Sequence, residues 1–434
     1  MNRIILIGNG FDRAHGLPTS YESFINSLWQ SIYKDIRDKS NSTNFPENDY
    51  ISFRIRDKSQ ILKSLLPLSD LNRTYKEIVK ILSNREFYLR YKNKFLEIIC
   101  SHCQDKGWHG IEHDYYQVLK DFKKSSSLNT QVKEFNNQFS KIEKDLRQYL
   151  IDVEDKAKIE DQIISEIKKK IDSSFCFDDI PHVHRKKLLE ELKYYIKPLF
   201  LSTYEESYRL SQLKKKYPKL ASSTDDIILK VLKGWYLIDD YESQINYIRN
   251  TSDINELIFN KLLSPNEILL LDFNYTNTTI NYNHPETDII HIHGELKNPN
   301  NPMIFGYGDE IGEDYKKIED LEENELLKNV KSIRYQDTNN YQRLMEFIES
   351  DYYQVFVMGH SCGNSDRTLL NTLFEHENCL SIKPYFHQSG EKEEDNNYSD
   401  IVRNISRNFR DKPAMRNKVV NKTYCEPLLG YKPE

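Results

Sequence analysis

Cysteine is scarce in this chain, with six residues among 434 at irregular spacing. So few thiols in so long a chain exclude the disulfide framework of a small secreted domain, and reduced cysteines are expected. Long apolar runs are also missing. No stretch approaches the roughly 18 residues of a membrane-spanning helix, and "IILIG" is too short for a signal-peptide core. A soluble, cytoplasmic protein with no membrane partner is expected. Nor is there an excess of basic charge: 61 Lys and Arg stand against 67 Asp and Glu, for a net charge of −6. That balance does not indicate nucleic acid as a partner. The runs "KKK" at 168–170 and 214–216 and "RKK" at 185–187 read as solvated helix faces, and the strip Arg403, Arg407, Arg410, Arg416 and Lys422 is only a weak basic patch. No internal repeat is visible.

What remains is a chain long enough for two or three domains, with 38% hydrophobic content and a large core. Short apolar runs of the kind that form buried parallel strands occur at "RIILIG" and then only after residue 265: "EILLLDFNYT", "DIIHIHGEL", "MIFGYG", "YQVFVMGHS" and "LSIKPYFH". Between them lies a polar stretch of helical period. Phe135, Phe139, Ile142, Leu146, Tyr149 and Val153 mark the seam of a helix packed along another, usable for core packing or for a homo-oligomer contact. The expected fold class is α/β, a doubly wound, mostly parallel Rossmann-type sheet with a large all-helical insertion. Its parts are 1–55 and 265–434 for the sheet domain and 56–264 for the insertion.

The first strand leaves through Gly8, Gly10 and Gly16. Glycine-rich turns beyond the carboxyl end of a parallel strand let backbone approach a phosphate at the next helix's start, or else serve only a tight turn. "TSYE" at 19–22 reads as a capping box that begins this helix at Thr19, with Pro18 fixing its entry. The spacing is not GxGxxG, so the dinucleotide fingerprint as such is absent. Asn274 ends an apolar strand, where its amide can orient a ribose hydroxyl or a water, or cap a turn. His291 and His293 are two apart on one strand face, and His293 at the strand's end is the candidate base. No ligand-spaced cluster accompanies them, and no metal is expected there. Cys100, Cys103, His109 and His113 superficially resemble a zinc arrangement, but their spacing is far shorter than that of a zinc finger. Gly359-x-Ser361-x-Gly363, between an apolar strand and a helix, matches a nucleophile elbow; a serine hydrolase would draw on His387 and Asp400.

"IGNGFDRAHGLPTSYESF", "FNYTNT", "HIHGEL" and "GHSCGNSD", in that order and spanning nearly the whole chain, resemble the bacteriophage abortive infection AbiH family. More distantly the four blocks are similar to the sirtuin-like fold. That resemblance implies a nucleotide pocket for NAD, as ligand or as substrate of an NAD glycohydrolase. It implies catalytic roles for Asn274 and His293. Binding roles fall to Gly8, Asn9, Gly10, Phe11, Asp12, Gly16 and Pro18 in the first block and to Gly359, His360, Ser361 and Asp366 in the last. Asp12 stands where sirtuins have serine, and Thr276 where they have aspartate. The paired CxxC zinc module that sirtuins insert after the HG pair is missing after Gly294, so deacetylation is not expected. AbiH relatives also imply a role for Trp108 and Glu112 in the insertion. The family implies phage defence with a phage component as trigger, and the non-enzymatic alternative is a nucleotide sensor or partner-binding protein.

Overall fold

Six consecutive buried residues, Asn2–Ile7, form β1, and burial on both faces is what a continuous apolar run in a central parallel strand requires. In the computed structural model, which describes residues 1–39, 48–55, 73–83, 87–102, 110–200, 206–249, 253–285 and 287–431, β1 lies at the centre of a five-stranded sheet. β4 (Ile268–Asp272) and β6 (Tyr353–Met358) flank it, with Ile5 opposite Leu270 on one side and Phe356 on the other. β5 (Thr287–His291) lies outside β4 and β7 (Cys379–Tyr385) outside β6, giving the order β5-β4-β1-β6-β7 with every pair parallel. Pro384 is tolerated because β7 is an edge strand.

Helices cover both faces. On one, Ile4, Leu6, Leu269 and Val355 pack against Leu344, Leu370 and Ile405 from three helices of the last quarter of the chain. On the other, Ile5, Ile7, Leu270 and Met358 pack against Ile163, Ile167 and Ile171 of the helix Asp161–Ile171. That helix belongs to the long polar stretch, yet it closes the sheet's second face. Arg3, fully buried in β1, ties it down: Nη1 donates to the Ile171 carbonyl at 2.8 Å, and the guanidinium lies 4.1 Å from the Phe356 ring centroid. Burial lowers its pKa to about 10, which leaves it charged at neutral pH.

A second core joins α2 (Tyr21–Lys39) to the long helix Leu128–Lys156 and to the segment after β5, with Trp29, Phe95, Tyr115, Phe139 and Phe305 at its centre. The seam residues Phe135, Phe139, Ile142 and Leu146 are consumed in this core, while Tyr149 is half-exposed and donates its hydroxyl hydrogen bond to the Pro18 carbonyl at 2.7 Å. A third core, with Leu189, Trp235 and Phe259, is wholly helical.

Three expectations are corrected. The insertion is not all-helical, because β3 (Phe87–Tyr91) pairs antiparallel with β2 (Ile51–Ile55). "MIFGYG" is not a strand; its odd and even side chains divide between two cores, with Met303 and Phe305 in one and Ile304 in the other, and among the described residues it joins no ladder beyond the bridge of Tyr307 to Val330. The first helix does not begin at Thr19. A short α1 (Asn9–Ala14) follows Gly8 directly, and α2 begins after Ser20, whose Oγ accepts from the Ser23 N–H at 3.1 Å; Thr19 instead donates to Asn9 Oδ1.

Replacing Arg3 strands the carbonyls at the end of helix Asp161–Ile171 and removes a large buried stem. Arg3→Ala is expected to cost about 2–4 kcal/mol, read as a shift of the denaturant midpoint, and an unchanged midpoint would show that the helix is held by packing alone.

Candidate functional site

The turns leaving β1 and β6 meet backbone on backbone. Gly10 N–H donates to the Gly359 carbonyl at 2.8 Å, and a Cβ on Gly10 would lie 2.8 Å from that oxygen. Gly359 has φ +78°, and a Cβ there would come within 2.0 Å of the Phe11 nitrogen. These glycines therefore close two strand-end turns on each other, and the Gly10 N–H is already engaged. Asn274, two residues beyond β4, joins the same contact by donating from Nδ2 to the Gly8 carbonyl at 3.1 Å.

Over these turns opens a cavity of about 1170 Å³. Gly8, Asn9 and Gly10 form its wall on the β1 side, Asn274 and His293 on the β4 and β5 side, and Gly359, His360, Ser361 and Asp366 on the β6 side. Four residues named from the sequence lie outside this wall. Phe11 and Asp12 are buried beneath it, and Gly16 and Pro18 are exposed on the connection from α1 to α2. Three of the wall's residues were given no role by the sequence: Arg13, exposed on α1, and Ser365, both inside the quoted blocks, and Lys331, outside them. Lys331 sits in a polar segment with no periodicity or motif, so only the fold brings it here.

Asp366 is the centre of the charge in this wall. Its Oδ1 lies 2.9 Å from Lys331 Nζ and 3.2 Å from His293 Nε2; its Oδ2 lies 3.5 Å from His360 Nε2 and accepts from Ser365 Oγ at 3.2 Å. Lys331 Nζ also reaches Glu112 Oε1 at 2.7 Å, a carboxylate carried in from helix Gly110–Asp121. All five ionisable groups are buried. Burial pushes the Asp366 carboxyl up, but Lys331 and His293 outweigh it and hold the group well below the usual carboxylate range. Burial pulls the Lys331 ammonium down, and Asp366 and Glu112 more than restore it. Glu112 is pushed up by burial, which Lys331 only partly offsets. Burial and then Lys331 lower His293 to about 4, so it is neutral at pH 7.

Hydrogen bonding orders the imidazoles. His360 Nδ1 accepts from the Cys362 N–H at 3.0 Å, which leaves its proton on Nε2, toward Asp366. His293 Nε2 faces both Asp366 and the Tyr335 hydroxyl, at 3.2 Å each, which leaves the Nδ1 lone pair as its basic position. The arrangement is a buried carboxylate orienting a neutral histidine beside a cavity, with a second, protonation-prone carboxyl across a shared ammonium.

The family model for bacteriophage abortive infection AbiH matches residues 4–387 and so spans every one of these turns. The chain belongs to the AbiH family. Comparisons with curated proteins and with solved structures each gave no significant match. The family connects this protein with phage abortive infection, and among its described residues no helix is long and apolar enough to cross a membrane.

Other groups singled out in this AbiH chain fall elsewhere. His291 takes a separate partner, with Nδ1 3.5 Å from Asp272 Oδ2, because β5 ends at His291 and the chain turns before His293. Cys103, Trp108 and His109 lie outside the described residues; Cys100 accepts from Trp29 Nε1 at 3.2 Å. Among the described residues no three His, Cys, Asp or Glu side chains form a metal-holding group. Ser361 is exposed in the cavity wall, and the left-handed residues of its turn are Gly359 and Cys362, not the serine that a nucleophile elbow strains. Asp400 pairs with Arg403 at 2.6 Å, and no hydrogen bond among the described residues joins Ser361, His387 and Asp400.

Beneath the wall, Asp12 and Asp272 are buried side by side. Asp272 accepts from the Asn274 N–H at 2.8 Å and from Thr279 Oγ1 at 2.9 Å, and Asp12 accepts from Thr276. Burial raises Asp12 from 3.8 to about 6 and Asp272 well above its ordinary value. A carboxyl raised on folding binds more protons folded than unfolded, so it costs stability as pH rises from about 4 to 6. Asp12→Asn, which still accepts from Thr276, is therefore expected to gain melting temperature relative to the parent protein as pH rises through that window. A difference independent of pH would mean that Asp12 is not raised.

The two glycine positions give a second test. A Cβ on Gly16, with φ +81° and open space around it, meets nothing, so Gly16→Ala should cost only the left-handed penalty of about 1 kcal/mol. Gly359→Ala adds the collision with Phe11 and should cost several times more in chemical denaturation. Equal costs would refute the backbone contact between the turns.

Proposed function

We propose that this AbiH protein binds a nucleotide, NAD, across the turns leaving β1 and β6 and hydrolyses its nicotinamide–ribose bond. One observation carries the reading. In the order β5-β4-β1-β6-β7 the direction of winding reverses between β1 and β6, and the cavity lies over that switch point, where doubly wound sheets of the Rossmann type bind dinucleotides. The volume, about 1170 Å³, accommodates a ligand of that size.

The residues suit the parts of the ligand. Arg13, exposed on α1 at the cavity wall, supplies the positive charge for a phosphate, and Asn9 a neighbouring polar contact. Gly10 contributes by letting the turns close rather than by its N–H. Asn274, tied through Nδ2 to Gly8, keeps its Oδ1 for a ribose hydroxyl or a water. Breaking the ribosyl bond builds positive charge on the sugar, and the ionised Asp366, buried in the cavity wall, stabilises it in this reading. Neutral His293 takes the proton of the attacking water on Nδ1, and Asp366 stabilises the imidazolium that forms.

Adding NAD to the purified protein and measuring free nicotinamide tests the reading, with phage protection in cells measured in parallel. His293→Ala should lower release by roughly 10²–10⁴ with little change in NAD affinity. Because His293 is depressed to about 4, it is unprotonated across neutral pH, so the rate should be flat over that range and fall only toward pH 4. An inflection near pH 6.5 would point to a different, unperturbed base. A thermal shift with NAD but no product would support the sensor reading instead, and full protection by His293→Ala would remove this site from defence.

A further inference from the structure

Lys331 does something that none of the strand-end turns does: it places two carboxylates from different layers of the molecule in one wall. Glu112 arrives on helix Gly110–Asp121, which packs in the second core, and Asp366 on the turn after β6. Each lies within 3 Å of the same ammonium, at 2.7 and 2.9 Å, and all three residues line the cavity. Two carboxyls lining one cavity are the equipment of glycosidic hydrolysis, in which one donates a proton to the leaving group and the other stays ionised under the sugar.

We infer that Glu112 is the general acid of this site, that Lys331 is the positioning residue that sets the two carboxylates side by side, and that the substrates include purine nucleoside monophosphates, whose base needs a proton in order to leave. This rests on the nucleotide reading above and extends it, since nicotinamide leaves NAD without being protonated. In the step, the C1′–N bond breaks and its electron pair goes to the base nitrogen, which takes the Glu112 proton. Water adds to C1′, its proton passes to His293 Nδ1, and solvent returns a proton to Glu112. The products are the free base and the ribose 5-phosphate.

The environment of Glu112 agrees with that role. The groups that face it are Lys331, Asp366 and Ser365, with the hydroxyls of Tyr275, Tyr307 and Tyr335 in electrostatic reach. Burial raises Glu112 whereas Lys331 and His293 hold Asp366 low, so of the two carboxyls Glu112 is the readier to carry a proton and Asp366 the readier to stay ionised.

The test uses the full chain with adenosine 5′-monophosphate and NAD as separate probes, following free adenine and free nicotinamide by chromatography and ligand binding by thermal shift. Glu112→Gln keeps an acceptor for Lys331, and its melting temperature checks the fold. Adenine release is expected to fall roughly 10²–10⁴ in this variant, with nicotinamide release changed much less. The parent protein's adenine release should decline as pH rises through the Glu112 ionisation, and the variant should lose that limb. Equal loss with both probes would make Glu112 structural and overturn the inference. Nicotinamide release without adenine release overturns it too, while leaving the NAD reading intact. Binding of NAD without release of either base overturns both catalytic assignments and leaves only nucleotide binding.

Discussion

A carboxylate removed from water must be compensated, and Asp366 shows how much of the fold that requirement can recruit. Lys331 approaches from the polar segment after β5, His293 from the end of β5, His360 from the end of β6 and Ser365 from its own turn. An isolated charge buried in that wall would cost many kcal/mol, so the cluster forms as a unit or not at all. Lys331 carries the obligation further, because one ammonium between two carboxylates draws in Glu112 and with it the second core. The sheet and the helical layer are therefore joined at the cavity by charge as well as by apolar packing.

The glycine contact beneath this cluster sets its geometry. With no side chain at Gly10 or Gly359, the turns leaving β1 and β6 touch through their backbones, and the residues that follow each turn are brought to opposite lips of one cavity. Asn274 locks the β4 turn to the same point. The buried pair Asp12 and Asp272 lies just below, held by threonine hydroxyls and a backbone N–H rather than by cations. The molecule thus carries two buried acidic centres of different character: one neutralised by a lysine, the other raised in pKa by burial.

Much of the frame was legible in the residues. Runs such as "RIILIG" and "YQVFVMGHS" have the unbroken apolarity that only a strand covered on both faces needs, and they are β1 and β6. The seam from Phe135 to Leu146 was readable for the same reason, since a helix that packs on one side must repeat its apolar residues every three or four positions. "MIFGYG" misled because alternation between two cores looks in sequence like alternation between the faces of a strand. β3 was missed because its partner β2 lies far back in the chain and five residues leave almost no periodic signal.

What the sequence by itself determined was local: which segments are strands or helices, where glycine lets the backbone turn, and the membership in the AbiH family carried by four short blocks. Those properties depend on side chains a few positions apart, and periodicity records them. Only the tertiary structure decided which charges meet. Glu112, Lys331 and Asp366 are far apart in the chain and belong to three unrelated segments, and nothing in the spacing of any one of them encodes the ammonium that joins all three. Their encounter follows from the strand order and from the packing of helix Gly110–Asp121 in the second core. The protonation states follow in turn from burial, a property that no residue has until the chain around it has folded.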